Sequence, residues 1–169
     1  MLPDSFIEEL RYLSDIESVI GGYVLKNGRM QTFRLGACRG TLLTSKHENS
    51  VAYNTNLGYI AAQKEKCSVL VIVDAISRKY FTGETSWLWD IDFDLLGSGN
   101  VERVVLCGKY VNDLAMRFAF TDIAPEKIVC RDTVSDAAEY LKANGQEDLF
   151  VVTCFSDRDK LLNLVQREG

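Results

Sequence analysis

At 169 residues, with 47% apolar and 25% charged side chains, the chain has the material for one packed domain and too little polar excess for a disordered one. A net charge of -5 offers no basic stripe for a nucleic-acid backbone, and no apolar run approaches the roughly 18 residues that a membrane-spanning helix requires. The opening residues turn acidic at once at Asp4, Glu8 and Glu9, unlike a signal or transit peptide, so the expected compartment is the cytoplasm.

Taken in order, Ser5 to Glu8 has the form of a capping box, and Phe6, Leu10, Leu13 and Ile20, with Ile7 and Ile16 close by, recur at helical spacing until Gly21 and Gly22. Residues 23–26 and 30–35 flank Asn27-Gly28, a strong hairpin signal, and Gly36 and Gly40 bracket a second turn before a strand at 41–45. A helix over about residues 50–64 presents Ala52, Leu57, Ile60 and Ala61 to a core. Residues 67–73 are a continuous apolar run, as in a strand covered on both faces. Beyond the long segment 74–94, strands at 101–107, 127–130 and 149–155 alternate with helices. The first carries Val111, Leu114, Ala115 and Phe118, the second Val134, Ala137, Ala138 and Leu141, and the third Leu161, Leu162 and Val165. This alternation predicts an α/β fold, a three-layer Rossmann-like and mostly parallel sheet with an N-terminal helix and a β-hairpin. Ligands and partners of such sheets meet the carboxyl ends of the strands, where Asp74, Cys107-Gly108, Arg131-Asp132 and Ser156-Asp157 would gather.

The richest chemistry lies in residues 74–94, which hold both tryptophans and place carboxylates at Asp74, Glu84, Asp90, Asp92 and Asp94. If 86–94 were extended, Trp87, Trp89, Ile91 and Phe93 would share one face, with Leu88 and the three aspartates on the other. Such acids can bind magnesium, work as acid or base, or orient a histidine; equally, they can cap turns on a solvated face. His47 is the only histidine, so no histidine metal site can form. Gly108-Lys109, between a strand and a helix, could seat an anion. The five cysteines lack a C-x-x-C pair and read as small buried hydrophobes, Cys107, Cys130 and Cys154 at or near strand ends. Neither a G-x-x-x-x-G-K-[ST] loop, a G-x-G-x-x-G fingerprint nor a G-x-S-x-G elbow is present, so the chain does not read as a complete ATP-dependent or nucleophilic enzyme.

Thr-Ser-Trp-Leu-Trp-Asp-Ile-Asp-Phe-Asp at 85–94 resembles a signature of the C-terminal domain of the MurT-type ligase subunit of lipid II isoglutaminyl synthase, a Mur ligase relative. That family typically reads Asp-Val-Ser-Trp-Leu-Trp-Asp-Val-Asp-Phe-Glu. Ser86, Trp87, Trp89, Asp90, Asp92 and Phe93 match directly, and Glu84 stands in for the leading aspartate. Gly28-Arg29-Met30 looks like the Gly-Arg linker that opens this domain, Lys46 and Asn54 fall at its Lys-Asn-Pro and following Asn, and Cys107 to Arg117 is similar to its Ser-Gly-x-Arg-Ala-x-Asp-Met-Ala-x-Arg stretch.

The resemblance implies a Mur-ligase C-terminal-like domain over residues 23–169, preceded at 1–22 by a helix that could be a remnant of another domain. It implies a role in amidating the stem peptide of the peptidoglycan precursor lipid II, beside a glutamine amidotransferase subunit of the GatD type. Asp90, with Glu84 as second choice, would orient that partner's catalytic histidine, and Asp74, Trp87, Trp89, Asp92, Lys46 and Asn54 would form the substrate or partner surface. ATP and magnesium would belong to a central domain that is missing here, as is the four-cysteine zinc ribbon, leaving no cofactor in this chain. His47-Glu48 replaces the family's Asn-Pro, and its Asn-Asp-Asn turn is reduced to Asp74-Ala75-Ile76. The alternative is a stand-alone Rossmann-like binding or protein-interaction module with no cell-wall role.

Overall fold

The structure, a computed structural model, describes residues 29–46, 49–75 and 84–167. The expected N-terminal helix, the Asn27-Gly28 hairpin and His47 lie outside them. Strand β1, Met30–Leu35, alternates buried Phe33 and Leu35 with exposed Thr32 and Arg34, the two-residue period of a strand with one face covered. A turn at Gly36 and Ala37, with Gly36 at φ +59°, returns the chain as β2, Cys38–Ser45, with Leu35 opposite Cys38. Helix α1, Ser50–Ala61, starts at Asn49, whose side chain accepts the Ala52 N–H. Strand β3, Cys67–Ile72, is buried throughout.

The remaining elements are β4 (Val101–Cys107), α2 (Val111–Phe118), β5 (Ile128–Arg131), α3 (Val134–Asn144), β6 (Asp148–Cys154), α4 (Phe155–Leu162) and the short β7 (Gln166–Arg167). Together the strands form one seven-stranded sheet in the order β5-β4-β3-β6-β2-β1-β7. From β5 to β2 every pairing is parallel, while β1 runs antiparallel to both of its neighbours. One face is covered by Tyr53, Leu57 and Ile60 of α1 and by Leu114 and Phe118 of α2. Val134, Ala137, Ala138 and Leu141 of α3 with Leu161 and Leu162 of α4 cover the other. Steps toward β5 carry their helices on the first face and the step back from β5 to β6 carries α3 on the second, as crossovers of one hand require. The result is the expected three-layer Rossmann-like sheet. Among the described residues no helix is long and apolar enough to cross a membrane.

Several local expectations are corrected. In α1 it is Tyr53 that is buried, while Ala52 and Ala61 are only half-buried, because the Tyr53 ring packs against Trp87 at a centroid distance of 5.5 Å. Cys130 is exposed, since β5 is an edge strand. Gly40 is part of β2 and not of a turn. Residues 86–94 do not form a strand: they fold into two 3-10 turns, Ser86–Asp90 and Phe93–Gly97. The strands this segment joins, β3 and β4, already have neighbours on both sides, so its peptide groups bond locally, as Leu88 N–H does to the Thr85 carbonyl at 3.0 Å.

Gly40 pairs with Phe33, and a Cβ there would fall 2.1 Å from the tip of the buried ring. Gly40→Ala should therefore destabilise the fold by about 1–3 kcal/mol in urea titrations. Adding Phe33→Leu should cost less than the sum of the two single changes, because the smaller side chain relieves the clash.

Candidate functional site

The strand order creates a crevice. The connection leaving β3 passes over the α1/α2 face and that leaving β6 over the α3/α4 face, so the carboxyl ends of these two strands part company. Asp157, in the first turn of α4, lies there and is 0% exposed. Its Oδ2 accepts the N–H groups of Asp74 and Ala75, at 2.9 and 3.0 Å, and the Cys154 thiol at 3.3 Å. Lys160, on the next turn of α4, donates to Asp157 Oδ1 at 3.1 Å and pairs with Asp74 as well. Asp74 Oδ1 in turn accepts the Lys109 N–H at 2.6 Å. The anion expected at the Gly108-Lys109 turn is thus the chain's own Asp74. Gly108 is required there, because at φ +107° a Cβ would sit 2.5 Å from the Val73 carbonyl oxygen.

The electrostatics follow from these contacts. Burial works against ionisation of Asp74, but the Lys160 hydrogen bond, the Lys109 amide and the charges of both lysines outweigh it and hold the carboxyl below its ordinary 3.8. Burial likewise opposes the charge on Lys160, yet hydrogen bonds to Asp74 and Asp157 raise it above its ordinary 10.5. Burial, reinforced by Asp157, pushes Cys154 up to about 11, and burial with Asp74 and Asp157 pushes Cys107 up to about 12. Both thiols are protonated at neutral pH and are poor nucleophiles. This cluster ties the ends of β3, β4 and β6 together and has no free base to offer.

The tryptophan turns lie over α1 and α2. Trp87 is buried against Tyr53, whereas Trp89 is exposed and meets Phe120 edge to face at 5.2 Å. The Tyr53 hydroxyl and the Trp87 indole N–H are buried without a hydrogen-bond partner among the described residues. Arg117 of α2 reaches under the turn and donates to the Ile91 carbonyl at 2.8 Å. Its guanidinium stands 5.6 Å from the Trp89 ring and 5.7 Å from that of Phe93. Asn54 of α1 grips the junction between the two turns: its Oδ1 accepts the Asp92 N–H at 2.9 Å, and its Nδ2 makes a longer contact of 3.5 Å to the Asp90 carbonyl.

The acids of this region divide into two groups. Glu84 accepts the Ser86 hydroxyl at 2.6 Å, Asp94 accepts the Asp122 N–H at 2.9 Å, and Asp113 of α2 accepts the Thr85 hydroxyl at 3.0 Å. These three hold the turns in shape. The Asp90 and Asp92 carboxylates are exposed and have no partner among the described residues.

Of the sequence candidates, the structure joins Asn54 to Asp90 and Asp92, and sets Trp87 and Trp89 on opposite sides of one turn. Asp74 belongs to the separate Asp157 cluster. Lys46 is exposed at the end of β2, with no partner among the described residues. Lys160 and Phe120 were not singled out from sequence, and Arg117 figured only as the end of the stretch similar to the family, whereas Asp157 was expected with Asp74 at the carboxyl ends of the strands and is found there. Lys160 could have been, as a lysine three residues beyond that carboxylate on the same helix. Asp157 serves the β3 end, and no side chain caps the start of α4.

Residues 47–157 match the family described as MurT ligase C-terminal. The chain is 27% identical over 124 residues to the MurT subunit of "Lipid II isoglutaminyl synthase (glutamine-hydrolyzing)" from Staphylococcus aureus strains COL and N315, covering 73% of this chain and 27% of each relative. To the Streptococcus pneumoniae subunit of the same name it is 26% identical over 122 residues, 72% of this chain and 26% of that relative. The matched region thus spans about a quarter of the length of these relatives.

Removing the Asp157 carboxylate leaves two amide N–H groups without their acceptor and Lys160 with Asp74 alone, so Asp157→Ala should lower stability by about 2–4 kcal/mol in denaturant titrations. The folded value of Asp74 is depressed, so its contribution is present above 3.8 and is lost as pH falls through the folded value. A plot of Tm against pH should accordingly fall less steeply in acid for Asp74→Asn than for the parent.

Proposed function

Because the chain belongs to the MurT ligase C-terminal family, we propose that it takes part in amidating the stem peptide of lipid II by docking on a glutamine amidotransferase subunit of the GatD type. Asp90 is the residue it lends. The observation that carries this assignment is the state of that carboxylate: exposed, and uncommitted among the described residues, on a turn whose backbone Asn54 and Arg117 hold in place. A carboxylate so presented can accept the Nδ1–H of a partner's histidine, fix the imidazole tautomer and stabilise the imidazolium formed when the histidine takes a proton from its nucleophile. Glu84, the second candidate, is already engaged by Ser86 and would have to give up that bond. Trp89 and Asp92 shape the surface around Asp90, Trp87 supports the turn from the core, and Lys46 is a further contributor at the carboxyl edge of the sheet, where Asp74 is engaged in the Asp157 cluster.

The domain is incomplete as a ligase on this reading. ATP and magnesium would be held by a central domain supplied elsewhere. The residues present suit neither: the sequence lacks a phosphate loop, and among the described residues no three His, Cys, Asp or Glu side chains stand close enough to hold a metal. This chain's own part is positional, holding a carboxylate at a partner's histidine.

Glutaminase assays on the complex test the assignment. Asp90→Asn should leave assembly intact and lower the partner's kcat by about a thousand- to ten-thousandfold, the penalty for losing a triad carboxylate. Glu84→Gln should change it only a few-fold. An unchanged rate in the assembled Asp90→Asn complex would remove Asp90 from the proposal.

A further inference from the structure

We infer that Trp89, Met116 and Phe120 form the docking face for a protein partner whose own surface is an apolar socket ringed by lysine and arginine. The identification of that partner as the glutaminase subunit rests on the function proposed above. These side chains are 52%, 59% and 68% exposed, although each is large and apolar. They come from the Ser86–Asp90 turn, from α2 at Met116 and from just beyond its end at Phe120, and the Trp89 and Phe120 rings meet at 5.2 Å, which joins the two elements in one aromatic face. A contiguous exposed aromatic face is a mark of an interaction surface, where scattered single residues are not.

The face is also preorganised. Arg117 lies beneath Trp89 and is tied to the Ile91 carbonyl, Thr85 is bonded to Asp113, and Phe93 packs on Phe118 at 4.5 Å. Trp89, held between Arg117 and Phe120, has less rotamer freedom left to lose on binding. An aromatic and methionine centre inside a polar rim is the anatomy of a protein interface.

The rim specifies the partner's charge. Residues 84–94 and 111–122 carry Glu84, Asp90, Asp92, Asp94, Asp113 and Asp122, all exposed, against the single cation Arg117. Arg117 is only 8% exposed and spends its N–H on a backbone carbonyl. A second copy of this chain, meeting itself face to face, would set acid against acid. Phosphate backbones and anionic lipid surfaces are repelled in the same way. A basic protein surface is the occupant that both the apolar centre and the acidic ring fit.

Titration calorimetry of this chain with the glutaminase subunit from the same organism tests the inference. Phe120→Ala and Asp122→Lys alter groups outside the core, and the chain's circular dichroism should not change. Phe120→Ala should weaken Kd by about tenfold or more, as for a central interface residue. Asp122→Lys should weaken it too, and raising salt from about 50 to about 500 mM should weaken the parent complex through screening of the ring. A parent complex whose Kd ignores both substitutions overturns the inference and leaves the proposed function standing. Loss in Phe120→Ala without any response to salt or Asp122→Lys overturns the basic character of the partner. Absence of any parent complex overturns the function and this inference together. Self-association of the chain in sedimentation runs, abolished by Phe120→Ala, would give the face to a second copy and overturn it as well.

Discussion

The Asp157 carboxylate accepts from four donors at once: the amides of Asp74 and Ala75, the thiol of Cys154 and the ammonium of Lys160. A fully buried carboxylate is costly unless its lone pairs are filled and its charge is met, and here both conditions hold. The arrangement sits where the sheet most needs it. β3 and β6 are hydrogen-bonded neighbours along their length, but their connections leave toward opposite layers, and the backbone bonds that follow β3, from the Val73 N–H to the Cys107 carbonyl and from the Tyr110 N–H to the Val73 carbonyl, tie its exit to the β4 side and not to β6. Asp157 holds the next two amides, those of Asp74 and Ala75, and Asp74, thus oriented, passes the restraint to the β4 exit through the Lys109 amide. Three strand ends are registered by two aspartates and one lysine.

From that anchored exit the chain runs to the tryptophan turns, whose geometry explains how neighbouring tryptophans take opposite roles. A strand would place residues two apart on one face; a 3-10 turn, with three residues per revolution, rotates them about 240° from one another. Trp87 therefore enters the core against Tyr53 while Trp89 points outward, and the same rotation leaves Asp90 exposed beside it. Locally bonded turns of this kind are weak by themselves. They persist because Asn54 of α1 and Arg117 of α2 bond to their backbone from either side, while Phe93 and Leu96 are buried beneath.

How much of this could be read from residues alone depended on whether the deciding contacts were local. Continuous apolar runs revealed β3, β4 and β6, and the i, i+3, i+4, i+7 spacing located α2 and α3 close to their observed limits. The tryptophan turns were harder. Alternation of Trp87, Trp89, Ile91 and Phe93 satisfies a strand pattern, and only the sheet order reveals that no edge is free nearby to pair with it. Tyr53 was passed over because its hydroxyl obscured an apolar contact made with a residue 34 positions along the chain. Strand–helix alternation was enough to bring Asp74 and Asp157 to one sheet edge, but that Asp157 would accept amides more than 80 positions away is a pairing no local pattern encodes. The candidate acids were legible as a group, but which of them are structural emerged only from Glu84 with Ser86 and Asp94 with the Asp122 amide.

That division of labour bears on the proposed chemistry. A carboxylate that must orient another protein's histidine has to remain unpaired until the partner arrives, and an unpaired carboxylate is tolerable only while it is solvated. Asp90 meets this condition: it is exposed, and its neighbours Glu84 and Asp94 carry the structural bonds that a single flexible acid could not also provide. On docking, water leaves and the local dielectric falls, so each remaining charge acts more strongly. The imidazolium that forms during catalysis would then feel Asp90 directly and the rest of the acidic rim at longer range, both favouring its protonated form. A surface that attracts a basic partner before contact would by the same charges stabilise the cation generated within the complex, which links recognition and the catalytic role in one set of carboxylates.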